Sequence, residues 1–300
     1  MENGKIIKNI ERLGERYCQK YLNDENCNKQ NLEKNWWEAL KFFFSRSFMR
    51  GRKDKLSNEY YCFTVEVLKE AFGINENFNE SYKILKKHEQ YFGKQRVLNF
   101  KQREGIGREN VLNNRHKKGF KKEVAKNNRI VELLIEPRKI WIEWKDEEYE
   151  KEVSLGNDED VMMVLDVLKF ISDDGRKNIY SYIKNVMTES GVEAAYNELI
   201  DIRGIGPKIA SLIIRDIGLL DGNIVNKHFE RAFPVDTWVK QIAQKLIPND
   251  ITNPDIQRYF IDECLTSKAN PLKVAAGLWF MGSNSLDILI NDCLPVVDFN

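Results

Sequence analysis

Lys208 stands among isoleucines. The stretch LIDIRGIGPKIASLIIRDI, residues 199 to 217, favours helix but is interrupted by Gly204, Gly206 and Pro207. The pattern reads as helix, tight turn, helix: the glycines supply backbone conformations closed to other residues, and Pro207 suits a first helical position. Amides left open at a helix start bind phosphate without help from side chains. A lysine in that first turn faces the positive end of the macrodipole, and Ile205 and Leu212 offer partial burial. Both influences favour loss of a proton, and a neutral amine is the nucleophile a Schiff base requires. A solvent-facing or phosphate-binding lysine is the alternative. So is an ordinary helical hairpin held together by Leu199, Ile202, Ile205, Ala210, Leu212 and Ile213.

Downstream, FPVDTWVKQIAQKL (233–246) places Asp236 at the start of an amphipathic helix built on Val239, Ile242, Ala243 and Leu246. As an N-cap the aspartate contributes about 1 kcal/mol.

GIGPKIA followed by VDTWV resembles the helix-hairpin-helix DNA glycosylase superfamily, whose signature joins a G-h-G-x-K-x-A hairpin to a V-D-containing helix start. The match covers about residues 195 to 246. The resemblance implies a double-stranded DNA partner carrying a damaged base, flipped into a pocket between two helical domains. It assigns Lys208 the attack on sugar C1′ and Asp236 the stabilisation of the cationic sugar, followed by β-elimination 3′ to the lesion, with no metal or cofactor. Arg203, Gly204, Ile205, Gly206, Trp238 and Lys240 are then the expected DNA contacts. Two departures stand out: the lysine and aspartate lie 28 positions apart, a long connection, and Trp238 occupies a position where many relatives carry histidine.

Only Cys264 and Cys293 follow Asp236, too few for the four-cysteine iron–sulfur cluster of many relatives. Lysine-bearing members without the cluster are typically 8-oxoguanine DNA glycosylase/AP lyases, so an oxidised purine is the expected lesion. Trp279, Phe280 and Met281, beside Ser283, Asn284 and Ser285, are candidates for the base pocket or for core. Two other readings remain: a non-enzymatic helix-hairpin-helix DNA-binding protein, and a monofunctional glycosylase for another lesion.

The elements that must position these residues are mostly helical. With 300 residues and 42% hydrophobic content the chain can bury a large core, in two domains or in one with an insertion. The longest apolar run, Val274 to Gly282, is too short to cross a bilayer, and the start of the chain lacks a signal-peptide pattern. A soluble cytoplasmic monomer, at the nucleoid through DNA, is expected. The five cysteines read as reduced structural thiols.

Helices are expected at 5–22, at 31–44 with Trp36, Trp37, Leu40, Phe43 and Phe44, and at 58–73 stopped by Gly73. Arg46, Arg50 and Arg52 are candidate phosphate contacts. The net charge of +1 conceals a basic block from Lys94 to Arg129, twelve Lys or Arg against three Glu, followed by the acidic EWKDEEYEKE (143–152). Such a block attracts phosphates or forms a solvated surface. Pro137 and Arg138 sit between two apolar runs as in a β-hairpin, and helical periodicity returns from Asp158. The expected fold is mainly α: two helical domains with a cleft, a helix-hairpin-helix motif and a small inserted α/β module. The expected parts are 1–83, the insertion 84–157, a catalytic part 158–250, and C-terminal helices 251–300 returning to the N-terminal part.

Overall fold

The structure is a computed structural model that describes residues 2–23, 27–73, 129–145, 147–222, 224–247 and 252–285. The basic block, apart from Arg129, lies outside the described residues, as does Cys293. The described chain is mainly helical, with one small sheet. In order it forms α1 (Glu2–Tyr21), α2 (Lys29–Lys34), α3 (Trp36–Ser47), α4 (Asp54–Phe72), α5 (Arg129–Ile135), β1 (Arg138–Trp144), β2 (Glu147–Val153) and α6 (Asp158–Ile171). Then follow α7 (Ile179–Glu189), α8 (Val192–Asp201), α9 (Pro207–Asp221), α10 (Thr237–Leu246), α11 (Asn253–Ser267) and α12 (Pro271–Ser283). None of the described helices is long and apolar enough to cross a membrane.

Two compact units emerge. One comprises Met1–Lys29, Ser190–Glu193 and Ala210–Asn300; the other comprises Gln30–Glu189 and Ala194–Ile209. The divisions therefore fall inside α2, α8 and α9.

In the second unit, the expected helix at 31–44 is two helices. Asn35 ends the first and caps the second, its side chain accepting from the Trp37 and Glu38 amides. Trp36, Trp37, Phe42, Phe43, Phe44 and Phe48 are buried, and Phe63, Val67 and Phe72 of α4 join them in the core. α4 stops where Gly73 turns left-handed (φ 57°) and its N–H closes on the Glu70 and Lys69 carbonyls.

The sheet corrects the expected hairpin. Pro137 and Arg138 do not form its turn: proline cannot donate to a helix or a ladder, so the break there separates α5 from β1. The strands pair antiparallel with Trp144 opposite Glu147, and the reversal carries Lys145 at φ 52°. Ile140 and Ile142 face inward, and Glu59 of α4 holds the inner face from below, accepting from Tyr149 Oη at 3.0 Å and Lys151 Nζ at 2.6 Å.

In the first unit α1 lies against α12 at nearly backbone contact. A Cβ built on Gly14 would stand 1.9 Å from the Lys273 carbonyl oxygen, and one on Gly277 would stand 2.0 Å from that of Ile10. Only glycine fits at such a crossing. Ile7 and Ile10 of α1 share a core with Val239 and Ala243 of α10, Phe260 and Cys264 of α11, and Val274 and Leu278 of α12. Phe233 stacks on Phe260 with ring centroids 5.9 Å apart. A capping box between Thr252 and Asp255 starts α11, and Asn270 caps α12. Burial pushes the Cys264 thiol up to about 12, and the Cys62 thiol of the other unit up to about 11, which keeps both uncharged.

Gly277→Ala should lower the unfolding free energy by at least about 2 kcal/mol, because the methyl group forces two backbones apart. Gly156→Ala, where a Cβ meets nothing within 4 Å, should stay within about 0.5 kcal/mol of the wild type. Urea titrations of both variants check the pair.

Candidate functional site

The stretch containing Lys208 forms the predicted helix, turn and helix: α8 ends at Asp201 and α9 begins at Pro207. Two short hydrogen bonds wind the turn, from the Ile202 amide to the Leu199 carbonyl and from the Ile205 amide to the Ile202 carbonyl, each 3.1 Å. Gly204 adopts φ 81°, a region closed to side-chain-bearing residues without strain. Space forbids a side chain there as well, since a Cβ would lie 1.9 Å from Arg50 Nη2. Among the described residues the amides of Gly204 and Gly206 have no hydrogen-bond partner. Both glycines are partly exposed.

Three carboxylates on α6 hold this turn and the segment after α3. Asp160 is fully buried. It accepts from Arg50 Nη1 at 3.2 Å, and from Arg52 in a two-pronged contact at 2.9 and 2.8 Å. The same Arg50 donates through Nη2 to the Gly204 carbonyl at 2.7 Å. Asp166 takes the Arg203 backbone N–H at 2.6 Å, and Glu159 takes the Arg203 guanidinium at 2.8 Å. One helix thus fixes the turn at Arg203 directly and at Gly204 through an arginine.

Lys208 follows on the first turn of α9, half-buried, and its Nζ donates to the Met49 carbonyl at 3.1 Å. The acceptor lies one residue before Arg50, so the clamp that fixes Gly204 also fixes the group that holds the amine.

Of the basic residues expected to meet phosphate, four are occupied within the protein. Arg203 is 4% exposed. Arg50 and Arg52 bind Asp160 as described. Arg46 lies over the Phe42 ring, 3.8 Å from its centroid, and donates to Ser45 Oγ at 2.7 Å. Ile205 is fully buried and packs the turn. Sequence reasoning missed Glu159, Asp160 and Asp166; their signal was carboxylates set into the helical period of NDEDVMMVLDVL (157–168), which no solvated acidic face would need.

Asp236 belongs to the other unit. It caps α10, with Oδ1 accepting from the Val239 amide at 2.9 Å, and Oδ2 has no partner among the described residues. Trp238 rests on Gly282, where a Cβ would come within 2.5 Å of its side chain, yet it stays 39% exposed. Lys240 is exposed.

The proposed base-pocket residues are packed against aromatic neighbours. Trp279 meets Tyr17 and Tyr21 edge-on at 5.7 and 5.6 Å, Phe280 is buried, and Met281 is half-buried. Behind Tyr17 lies a buried polar cluster. Its hydroxyl donates to Asp216 Oδ2 at 2.8 Å and accepts from Arg215 Nη2 at 2.7 Å, while Arg215 also binds Asp216 Oδ1.

Glu193, His228 and Glu230 gather their ligand atoms within 4.8 Å. Both Glu193 oxygens already accept from Arg231, at 2.6 and 2.9 Å, so a guanidinium sits where a metal would have to bind.

No family model matches the chain, and no solved structure matches it. An uncharacterized protein of Methanocaldococcus jannaschii is 33% identical over 72 residues, a match covering 23% of this chain and 17% of that protein. The chain therefore spans under a fifth of that relative's length.

Replacing Asp160 with asparagine leaves two half-buried guanidinium groups short of their counter-charge, and should cost about 3 kcal/mol of stability. Chemical denaturation measures it; a loss below about 1 kcal/mol would mean that the arginines find other partners.

Proposed function

We propose that this protein is a DNA-repair enzyme: a helix-hairpin-helix glycosylase with an associated lyase step, acting on double-stranded DNA that carries a damaged base. The observation that carries the reading is the turn itself, in which two amides without a hydrogen-bond partner among the described residues stand beside a half-buried lysine. Amides at a helix start suit a phosphate, and they grip the backbone without reading sequence. With Gly204 and Gly206 as the grip, Pro207 and Lys208 face the same strand.

Lys208 is the nucleophile. The hydrogen bond from its Nζ to the Met49 carbonyl uses an N–H and so orients the amine without occupying the nitrogen's lone-pair side. The lone pair attacks C1′ as the bond from C1′ to the base nitrogen breaks, and the departing base takes up a proton. Asp236, whose Oδ2 is uncommitted among the described residues, stabilises the positive charge on the sugar and accepts the amine proton. The ring opens to an imine between Lys208 and C1′. That imine acidifies C2′; loss of the C2′ proton expels the 3′ phosphate by β-elimination, and water then releases the lysine. Trp238 and Lys240, exposed on the first turns of α10, are the further DNA contacts. The resemblance to lysine-bearing glycosylases that lack an iron–sulfur cluster points to oxidised purines such as 8-oxoguanine as the lesion.

A second reading has one observation in its favour. Arg46, Arg50, Arg52 and Arg203 are all occupied inside the protein, which leaves main-chain phosphate contacts as the chief feature of the turn and suits a non-enzymatic DNA-binding protein.

The two part on a borohydride-trapping assay with a duplex carrying 8-oxoguanine. The wild type should form a covalent adduct and cut the strand. Lys208→Gln should form none while binding the same duplex within about threefold of wild type. Asp236→Asn should slow base release by about a hundredfold or more. Trapping by Lys208→Gln at the wild-type level removes the lysine from the role, and binding without cleavage by the wild type favours the second reading.

A further inference from the structure

The β1–β2 hairpin carries a face that the DNA reading does not use. Strand alternation divides its side chains, and Lys139, Trp141 and Glu143 of β1 share the outer side with Glu148, Glu150 and Glu152 of β2. All six are exposed. Trp141 is 70% exposed, the most exposed of the large apolar side chains among the described residues. Its register partner is Glu150, which also takes Lys139 Nζ at 3.5 Å. Glu143 stands directly opposite Glu148.

Two features of this face are unfavourable in the free protein. An indole left in water gains nothing from burial. Like charges placed opposite each other across an antiparallel pair are destabilising. Both penalties are removed by the same kind of occupant: a guanidinium or ammonium group between Glu143 and Glu148 neutralises the pair, and a second over the indole makes a cation–π contact. A nucleic acid does the reverse, since four carboxylates against one lysine repel phosphate.

We propose that the outer face of the hairpin is a docking site for a cationic segment of a partner protein, recognised by arginine or lysine side chains set against Trp141 and the Glu143/Glu148 pair. The site is independent of the Lys208 turn and does not rest on the glycosylase reading. Its inner side is anchored by Tyr149 and Lys151 on Glu59, and the Glu143 carbonyl by Asn58 at 2.9 Å, so the outer side chains can be changed without unseating the sheet.

The test is a fluorescence-anisotropy titration of a labelled nona-arginine peptide with the full chain. Trp141→Ala and the double variant Glu143→Gln/Glu148→Gln are compared with a charge-matched control, Glu189→Gln/Asp262→Asn, changed at exposed sites elsewhere. Binding is expected for the wild type and should weaken as salt rises. Trp141→Ala should weaken it about fivefold and the glutamine pair about tenfold, with the control within about twofold. Thermal unfolding within a few degrees of wild type confirms that the hairpin variants remain folded. Three results overturn the proposal: no binding by the wild type, equal loss in the control and the hairpin variants, or tighter binding of a single-stranded oligonucleotide that Trp141→Ala abolishes.

Discussion

A carboxylate buried without a trace of solvent contact organises the Lys208 site. Asp160 on α6 is held by two arginines from the segment that follows α3, and one of them reaches on to the Gly204 carbonyl. Burying a charge is expensive, and a buried ion pair adds little to net stability over a well-packed apolar substitute. What it confers is geometry. The two-pronged contact of Arg52 fixes one guanidinium in plane, and Arg50 bridges the carboxylate and the turn with its two terminal nitrogens. The turn can therefore carry open amides and a left-handed glycine without collapsing onto itself.

From that constraint the chemistry of the site follows in order. Gly204 is glycine for two separate reasons, its positive φ and its contact with Arg50. The amides it leaves open precede the helix on which Lys208 stands, and the Met49 carbonyl that holds the lysine amine adjoins the anchored Arg50. The arginines support the surface that meets DNA in the proposed function; they do not form it. In that proposal, contact with phosphate would fall to main-chain N–H groups, which read no sequence.

Much of the helical frame was legible in the sequence. The α1 and α4 periods, the Gly73 stop and the GIGP turn each follow from local rules of spacing and backbone freedom. The break at Asn35 was missed because the helical spacing of Leu32, Trp36 and Leu40 continues across it, and only the side chain's ability to cap marks the new start. Pro137 was misplaced as a hairpin turn because proline signals an interruption without saying what lies on either side. Arg50 and Arg52 of SRSFMRGR were read as phosphate contacts because their partner, Asp160, lies 110 and 108 positions away in the chain; sequence spacing carries no trace of such a pairing. For the same reason Trp279 and Phe280 could not be sorted from sequence between pocket and core, a question that turns on Tyr17 and Tyr21, more than 250 positions earlier.

The most direct test of the central claim is amide hydrogen exchange, read segment by segment, in wild type and in Arg50→Met. If one guanidinium ties Gly204 to Asp160, the variant should lose protection in residues 199–210 and 46–52 together, while α11 and α12 keep theirs. Unchanged exchange in the turn, or an equal loss across every helix, would contradict the account: the first by showing that the turn holds without the arginine, the second by showing that the arginine serves general stability alone.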